Sequence, residues 1–290
     1  MLRPYIEGVD CLRVVPCPMN REAAKNLQER LVWCKIEHRR EPTISSRKGR
    51  PVILIIAENI VKRYGAETAL DHVNIAVKQG EIACIIGPNG SGKSTLLSVM
   101  AGLLRPDGGT VYYQGKAFSE NRGALRQIGF VPQQDSLFAD LSVKDNLSFW
   151  AAASNVPLSR ALNLAVVQQL ELGPMLRKRV KHLSGGMRRR VAIAAALVSE
   201  PLLLILDEPF AGLDLFHKSQ LTQRLRQLRE SGVTIIYTSH NADEIVLLSD
   251  TMYLLHKGKI ALHKAVCTLP VEQAALNEYL LNLVRGESAQ

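Results

Sequence analysis

The chain has 290 residues, of which 47% are hydrophobic, and this composition suits a soluble globular protein of one large domain or two small ones. No uninterrupted apolar stretch approaches the roughly 20 residues of a membrane span, and no apolar segment follows the basic first residues as in a secretory signal. The five cysteines are odd in number and lack C-x-x-C spacing, so they suggest no disulfide or zinc framework and favour a reducing, cytoplasmic setting.

The net charge of +9 is concentrated in the first 50 residues, which contribute +5 while the remainder contributes +4. This segment has prolines near its start, a helical pattern over 20–39 and a polar, basic linker over 43–50. Its charge would suit an anionic membrane surface or nucleic acid, and equally a solvated arm. We therefore predict that residues 1–50 form a basic extension, peripheral or partly disordered, ahead of a domain at 51–290.

The next segment combines strand patterns with a glycine-rich loop. Apolar or alternating runs at 52–56, 60–64 and 73–77 predict strands, the second continuing the first after a turn or bulge. A continuous apolar run at 81–86 then leads into a loop with the spacing G-x-x-x-x-G-K-[ST]. A helical pattern follows the loop to about residue 101, so the loop lies between a buried strand and a helix.

This loop has the composition needed to bind phosphate groups. Glycines let backbone N–H groups turn toward phosphate oxygens, Lys93 adds a compact positive charge, and Ser94 can offer a hydroxyl to Mg²⁺. The following helix directs the positive end of its dipole toward the same anion. The predicted nucleotide-binding residues of the loop are Gly87, Pro88, Asn89, Gly90, Ser91, Gly92, Lys93, Ser94 and Thr95.

In the middle of the chain, two short strand patterns are followed by a long helical pattern. Short strands are predicted at 110–113 and 128–131, and Ser142 and Asp145 then have the S-x-x-D spacing of a capping box. The pattern from there to residue 182 is helical, which predicts a helical insertion into an α/β core.

The loop that enters this insertion mixes polar and apolar side chains. Such a patch suits the docking of a short helix from a partner protein. The alternative is that its apolar members pack beneath the insertion. The residues concerned are Asp135, Leu137, Phe138 and Leu141.

Two further strands end in candidate catalytic residues. The run 202–206 is continuously apolar, as in a parallel sheet buried on both faces, and ends at Asp207 and Glu208. Asp207 can hold Mg²⁺ or its waters, and Glu208 can polarise the attacking water. The strand predicted at 233–238 ends before His240, whose neutral imidazole can contact a γ-phosphate.

The ordered set of motifs resembles the ATP-binding cassette family, the motor subunits of ABC transporters, over roughly residues 57–262. The resemblance implies a P-loop NTPase core with a mixed sheet, an N-terminal antiparallel β region, and a helical subdomain inserted at about 134–190 before the signature motif. The motifs that follow the phosphate loop are Gln133, the signature Leu183-Ser184-Gly185-Gly186-Met187, Asp207-Glu208, Asp214 and His240.

The resemblance also assigns roles to residues. Gln133 resembles the loop glutamine that senses Mg²⁺ and the water, although Gln134 is an alternative, and Tyr64 resembles the aromatic that stacks on adenine. Catalytic roles fall to Glu208, His240 and Gln133, and the metal ligands would be Ser94, Gln133 and Asp207. The geometry of the family implies a head-to-tail dimer, in which the signature of one chain faces the ATP of its partner and Asp214 lies at the dimer interface.

The function implied is that of an ATP-hydrolysing subunit that uses ATP and Mg²⁺ to power transport through a separate membrane permease, at the cytoplasmic face of the membrane. The signature followed by three arginines, together with Ala211-Gly212-Leu213-Asp214, most resembles cassettes of ABC-2-type exporters. Met187, Phe210 and Gly212 depart from the common residues of the family, but none is expected to touch a reacting group. The alternatives are a cassette energising import, or a soluble ABC ATPase acting on ribosomes or DNA. Because a single phosphate loop and no long coiled coil are present, no nucleic acid partner is expected.

Overall fold

The computed structural model describes residues 52–134, 136–163 and 170–269, together with 278–279 and 281–282. All of them lie in the compact unit Ser46–Gln290. In this described part of the chain, no helix combines the length and apolar character required to cross a bilayer. The predicted extension 1–50 and Asp135 lie outside the described residues, as does most of a terminal helix predicted at 273–284.

A four-stranded antiparallel sheet forms the first layer. Its strands are β1 (Ile53–Tyr64), β2 (Glu67–Lys78), β4 (Gly108–Tyr113) and β5 (Lys116–Ala117), in the order β2-β1-β4-β5. The two runs predicted at 52–56 and 60–64 are one strand, because a bulge between Ala57 and Ile60 interrupts the register without ending the pairing.

A six-stranded mixed sheet forms the second layer, in the order β10-β9-β3-β8-β7-β6. Neighbours from β9 to β6 pair in parallel, and only β10 is antiparallel to β9. The carboxyl ends of β3, β8, β7 and β6 therefore lie next to one another along one edge. The strand bounds are β3 (Ile82–Ile86), β6 (Ile128–Val131), β7 (Leu203–Leu206), β8 (Thr234–Ser239), β9 (Thr251–His256) and β10 (Lys259–Ala265).

Six α-helices with described bounds accompany these sheets, and the described residues 278–279 and 281–282 are also helical. The predicted capping box is present at the start of α2, where the Ser142 hydroxyl accepts from the Asp145 N–H and the Asp145 carboxylate accepts from the Ser142 N–H. Three helices and two 3₁₀ turns fall within or overlap the segment 134–190, whose extent as a helical subdomain stays a prediction. The helix bounds are α1 (Lys93–Met100), α2 (Val143–Ala153), α3 (Leu158–Asn163), α4 (Gly185–Leu197), α5 (Leu215–Glu230) and α6 (Ala242–Leu248).

The mixed sheet is buried on both faces, as its continuous apolar runs predict. Along β3, Cys84 and Ile86 pack into a core with the helices, whereas Ala83 and Ile85 pack into a second core beneath the antiparallel sheet. Burial raises the pKa of the Cys84 thiol, so this cysteine stays protonated and acts as a small apolar residue.

Gly109 tests how tightly the bulge of β1 fixes the antiparallel sheet. Gly109 has a positive φ, and a Cβ added to it would lie 2.3 Å from the Asn59 carbonyl oxygen. Gly115 also has a positive φ, but a Cβ added there would have no atom within 4 Å. We predict that Gly109→Ala lowers the free energy of unfolding by about 3 kcal/mol, through strain and overpacking, and that Gly115→Ala lowers it by about 1 kcal/mol. Urea unfolding measures both, and equal losses would contradict the close approach.

Candidate functional site

Four loops meet where the parallel strands end. The phosphate loop follows β3, His240 follows β8, Asp207 and Glu208 follow β7, and Pro132 with Gln133 follows β6. Because β3, β8, β7 and β6 are neighbours in this order, the predicted catalytic residues line one edge of the sheet. Ligands of open α/β sheets bind at this carboxyl edge.

In the phosphate loop, Lys93 points its charge back into the curve of the backbone. Its Nζ donates to the carbonyl oxygens of Gly87, at 2.8 Å, and Pro88, at 3.1 Å, and the side chain is buried. Lys93 is also the first residue of α1, so its positive charge and the helix N-terminus lie together. The arrangement concentrates positive potential at one place, as a bound polyphosphate requires.

Two glycines of the loop are required by close packing. An added Cβ at Gly87 would lie 2.1 Å from the Leu255 carbonyl oxygen, and one at Gly92 would lie 2.4 Å from the Ala69 carbonyl oxygen. The Gly258 N–H also donates to the Ser91 carbonyl oxygen at 3.2 Å. The loop is therefore held between β2 and the β9–β10 hairpin, which fixes its position before any ligand binds.

The two adjacent acids are held by Thr238, one strand away. Its hydroxyl donates to Asp207 Oδ1 at 2.7 Å and accepts from the Glu208 N–H at 2.7 Å. Asp207 is only 3% exposed, and a buried carboxylate of this kind needs such partners. Thr238 was missed by the sequence prediction, although a threonine near the end of a buried strand is a detectable polar signal.

Glu208 and His240 contact each other. His240 Nδ1 lies 3.0 Å from Glu208 Oε2, with the glutamate 11% and the histidine 71% exposed. Glu208 has a φ of 47°, in the left-handed region that is strained for a residue with a side chain. Strain of this kind is concentrated at functional sites.

A buried arginine supports the same strand ends. Arg189, in the second turn of α4, donates to the Pro132 carbonyl oxygen at 2.7 Å and also to the Asp207 carbonyl oxygen. It thereby joins the residue before Gln133 to the residue before Glu208. The sequence prediction missed it, although helical spacing places Arg189 on the same face as the buried Ala192 and Ile193. Gln133 and the alternative Gln134 are both exposed.

The signature segment forms the start of α4. Ser184 is the N-cap, its hydroxyl accepting from the Met187 N–H at 3.3 Å, and both Ser184 and Gly185 are exposed. An added Cβ at Gly186 would lie 3.3 Å from the His217 ring, so this glycine lets α5 approach closely. Leu183 is buried beneath the segment, whereas the helix N-terminus at Ser184 and Gly185 is accessible to solvent.

Asp214 is exposed and caps α5. It accepts from the His217 N–H at 2.9 Å, and the His217 ring contacts the same carboxylate. These contacts hold the pKa of Asp214 below its usual value, so it remains ionised.

Tyr64 ends β1 with half of its side chain exposed, and its ring is therefore accessible for stacking on a base. Phe210, which stands where the family frequently has threonine, is buried with its ring edge-on to the ring of Tyr237.

Comparison with known proteins decides the family. The family model described as ABC transporter matches residues 70–211. A probable sulfate/thiosulfate import ATP-binding protein of Chlorella vulgaris is 40% identical over 209 residues, 71% of this chain and 89% of that protein. The chain belongs to the ABC transporter family.

Further similar proteins include a resistance protein and a solved dimeric cassette. A linearmycin resistance ATP-binding protein of Bacillus subtilis is 36% identical over 210 residues, 71% of this chain and 68% of that protein. A dimeric ATP-binding cassette in a post-hydrolysis state with ADP and Pi is 28% identical with a TM-score of 0.67, covering 73% of this chain and 99% of that one. The ABC protein described here is an ATPase with a P-loop NTPase core, as the resemblance implied.

Thr238 allows the support of the two acids to be tested. Thr238→Val removes the hydroxyl and leaves the Glu208 N–H without its acceptor, so we predict a loss of about 2 kcal/mol of unfolding free energy. Turnover should fall about tenfold, because the acids lose their fixed positions. Thr238→Ser retains the hydroxyl and should keep near-normal turnover at a cost of about 1 kcal/mol for the methyl group. Urea unfolding and steady-state ATP hydrolysis measure both variants, and equal turnover would contradict the role.

Proposed function

We propose that this ABC protein is the nucleotide-binding subunit of an exporter, and that it hydrolyses ATP to drive a separate membrane permease from the cytoplasmic face of the membrane. The observation that carries the proposal is the contact between Glu208 and His240 beside the buried Asp207, at the sheet edge that also bears the phosphate loop. The edge combines a general base, a second polar contact and a phosphate-binding loop, which are the parts that phosphoryl transfer to water needs.

The roles proposed for the side chains follow from their positions. Glu208 polarises the attacking water and accepts its proton, and His240, held by Glu208, contacts the γ-phosphate. Gln133 orients the water from the neighbouring strand end. Ser94, Gln133 and Asp207 would hold Mg²⁺, since hydroxyl, amide and carboxylate oxygens suit this hard cation, which when bound would neutralise charge on the phosphates.

Two chains are proposed to form the active unit. Ser184, Gly185 and Gly186 offer an exposed helix N-terminus, and the similarity to a dimeric cassette supports a head-to-tail arrangement in which this surface faces the ATP of the partner chain. Asp214 would then lie at the dimer interface, as a homodimer or a heterodimer.

Export is proposed because the signature with the three arginines that follow, together with Ala211-Gly212-Leu213-Asp214, resembles ABC-2-type cassettes. The relatives reported above include an import protein and a resistance protein, so import is the second candidate. Action on ribosomes or DNA has no comparable support from the site, and no nucleic acid partner is proposed.

Glu208→Gln tests the chemistry and the dimer together. The amide keeps the shape of the side chain but cannot act as a base, so we predict retained ATP binding with turnover lowered by about two orders of magnitude or more. Unhydrolysed ATP should then shift the protein toward a dimer, measured by size-exclusion light scattering. Ser184→Arg in the same background is the control, because bulk and charge at the helix start should abolish the shift. Near-normal turnover of Glu208→Gln would refute the catalytic role.

The loop after Gln133 and helix α2 together present an exposed aromatic patch, which we define as Phe138 and Leu141 of the loop and Phe149 of the helix. The Phe138 and Phe149 rings meet edge-on at 4.8 Å, and all three side chains are more than 40% exposed. Asn146 is fully buried and bonds both to the N–H of Phe138, at 2.8 Å, and to its carbonyl oxygen, at 3.1 Å. The ring is therefore presented on a fixed backbone, whereas Leu137 packs against the core.

We propose that a helix of the permease docks on this aromatic patch. Apolar side chains held rigidly at the surface, beside the loop that carries Gln133, suit a groove for an amphipathic helix. The sequence left open whether Leu137 and Phe138 pack beneath the insertion, and the two residues differ in the structure: Leu137 is packed and Phe138 is exposed.

Phe138→Ala tests the docking proposal. Because the ring is 44% exposed, the variant should keep its melting temperature and basal ATPase rate, losing far less than the roughly 3 to 5 kcal/mol of a buried phenylalanine. It should lose association with membranes that contain the permease, and with it transport. Leu247→Ala is the matched control, since Leu247 is 46% exposed on α6 and lies outside the patch. A destabilised Phe138→Ala protein that still binds its permease would overturn the proposal.

A further inference from the structure

A buried carboxylate joins helix α5 to the loop that carries His240. Glu244, in α6, is only 8% exposed, and each of its two oxygens accepts one hydrogen bond. Lys218 Nζ, from α5, donates to Oε1 at 2.9 Å, and the Ser239 hydroxyl, at the end of β8, donates to Oε2 at 2.5 Å. Helix α5 thus meets the connection between β8 and α6 at one side chain, 26 positions from Lys218 and five from Ser239.

The Ser239 hydroxyl also fixes the residue beyond His240. It accepts from the Asn241 N–H at 3.0 Å, while Asn241 caps α6 by accepting from the Asp243 N–H at 2.8 Å. His240 is therefore the single residue between two anchored neighbours. Its imidazole is the part of this loop that reaches Glu208, so the position of Ser239 determines how His240 meets the proposed base.

The other end of the connection leads to Asp214. The Lys218 N–H donates to the Asp214 carbonyl oxygen at 2.9 Å, and this is the first backbone bond of α5. Because the helix fixes Lys218 relative to Asp214, a displacement of the helix start moves the ammonium group as well. A continuous series of hydrogen bonds therefore runs from Asp214 through Lys218, Glu244 and Ser239 to the His240 loop.

Stability alone does not explain such a pair. Removing the Glu244 carboxylate from water carries a desolvation cost, although the Lys218 side chain stays 30% exposed, and an apolar pair of similar volume is often as stable or more so. A buried charged group such as Glu244 is better explained by a role in fixing one specific arrangement of the elements around it. The α6 end is also fixed, because the Tyr237 hydroxyl donates to the Glu244 carbonyl oxygen at 3.0 Å and contacts the Ser249 hydroxyl at 2.7 Å.

We propose that Lys218 and Glu244 are positioning residues that hold His240 against Glu208 and tie this contact to Asp214 on the proposed dimer face. The inference rests on the proposed function and adds to it a route by which docking of a second chain at Asp214 adjusts the hydrolytic pair. Neither residue touches ATP in this scheme. Their effect should appear in the rate of the chemical step and not in nucleotide affinity.

The experiment uses the full chain with four single variants, Lys218→Met, Glu244→Gln, Ser239→Ala and Lys218→Arg, and the double variant of the first two. We expect kcat to fall about tenfold in Lys218→Met, Glu244→Gln and Ser239→Ala, because a small misplacement of a catalytic group is costly. The dissociation constant of ATP should change by less than about twofold, since the phosphate loop is unaffected. Lys218→Arg keeps the charge and the donor and should retain most of the turnover.

The double variant separates one connection from two independent effects. If Lys218 and Glu244 act through the same loop, the double variant should lose no more turnover than the worse single variant. Arg229→Met is the matched control, because Arg229 also lies on α5 and pairs with a carboxylate, that of Asp250, at 2.9 Å, but at the far end of the helix. Its kcat should equal that of the wild-type protein.

Each outcome bears on a defined statement. Unchanged kcat in Lys218→Met and Ser239→Ala would overturn the proposal, as would losses that multiply in the double variant. A fall that merely follows the melting temperature, equal in Lys218→Met and Lys218→Arg, would show a structural role and also overturn it. A wild-type protein without ATP turnover would instead contradict the proposed function. Reduced kcat at normal ATP affinity in both Lys218→Met and Ser239→Ala supports the proposal.

Discussion

The site depends on the parallel register of four strands. Leu206 pairs with both Val131 and Tyr237, so the next residue, Asp207, lies between two neighbouring strand ends. Its N–H donates to the Val131 carbonyl oxygen and its carboxylate accepts from Thr238. A shift of one residue in this register would turn every following side chain to the opposite face and separate the acids from their partners.

This register also explains which parts of the site could be predicted from the sequence. The phosphate loop, the acids at the end of an apolar strand and the capping box at Ser142 are local patterns, in which a few adjacent residues carry the whole signal. Parallel order, in contrast, depends on which strands become neighbours. Thr238 and Asp207 are separated by 31 positions, and their contact exists only because β7 and β8 pair.

Arg189 and Glu244 are two further residues whose role could not be predicted from local sequence patterns. Both are charged residues in helices, and a charged residue in a helix is by default solvent-exposed. Their burial follows from the close packing of α4 and α6 against the sheet and from carbonyl, hydroxyl and ammonium partners contributed by other elements. The bulge in β1 was also only partly predictable. The strand pattern indicated an interruption, but only the pairing with β2 and β4 shows that the strand continues through a bulge.

At the carboxyl edge of the mixed sheet, some residues of the site are buried and others are exposed to solvent. The groups that hold the site, such as Asp207, Arg189 and Glu244, are buried and hydrogen-bonded to fixed neighbours, which preorganises them at no cost during reaction. Two of the groups assigned to meet the phosphate and the water, His240 and Gln133, are in contrast exposed. Hydrolysis through fixed dipoles works best where bulk water is excluded, and exposed reacting groups on one chain cannot exclude it. In the proposed dimer, the signature segment of a second chain would cover this exposed edge before ATP is hydrolysed.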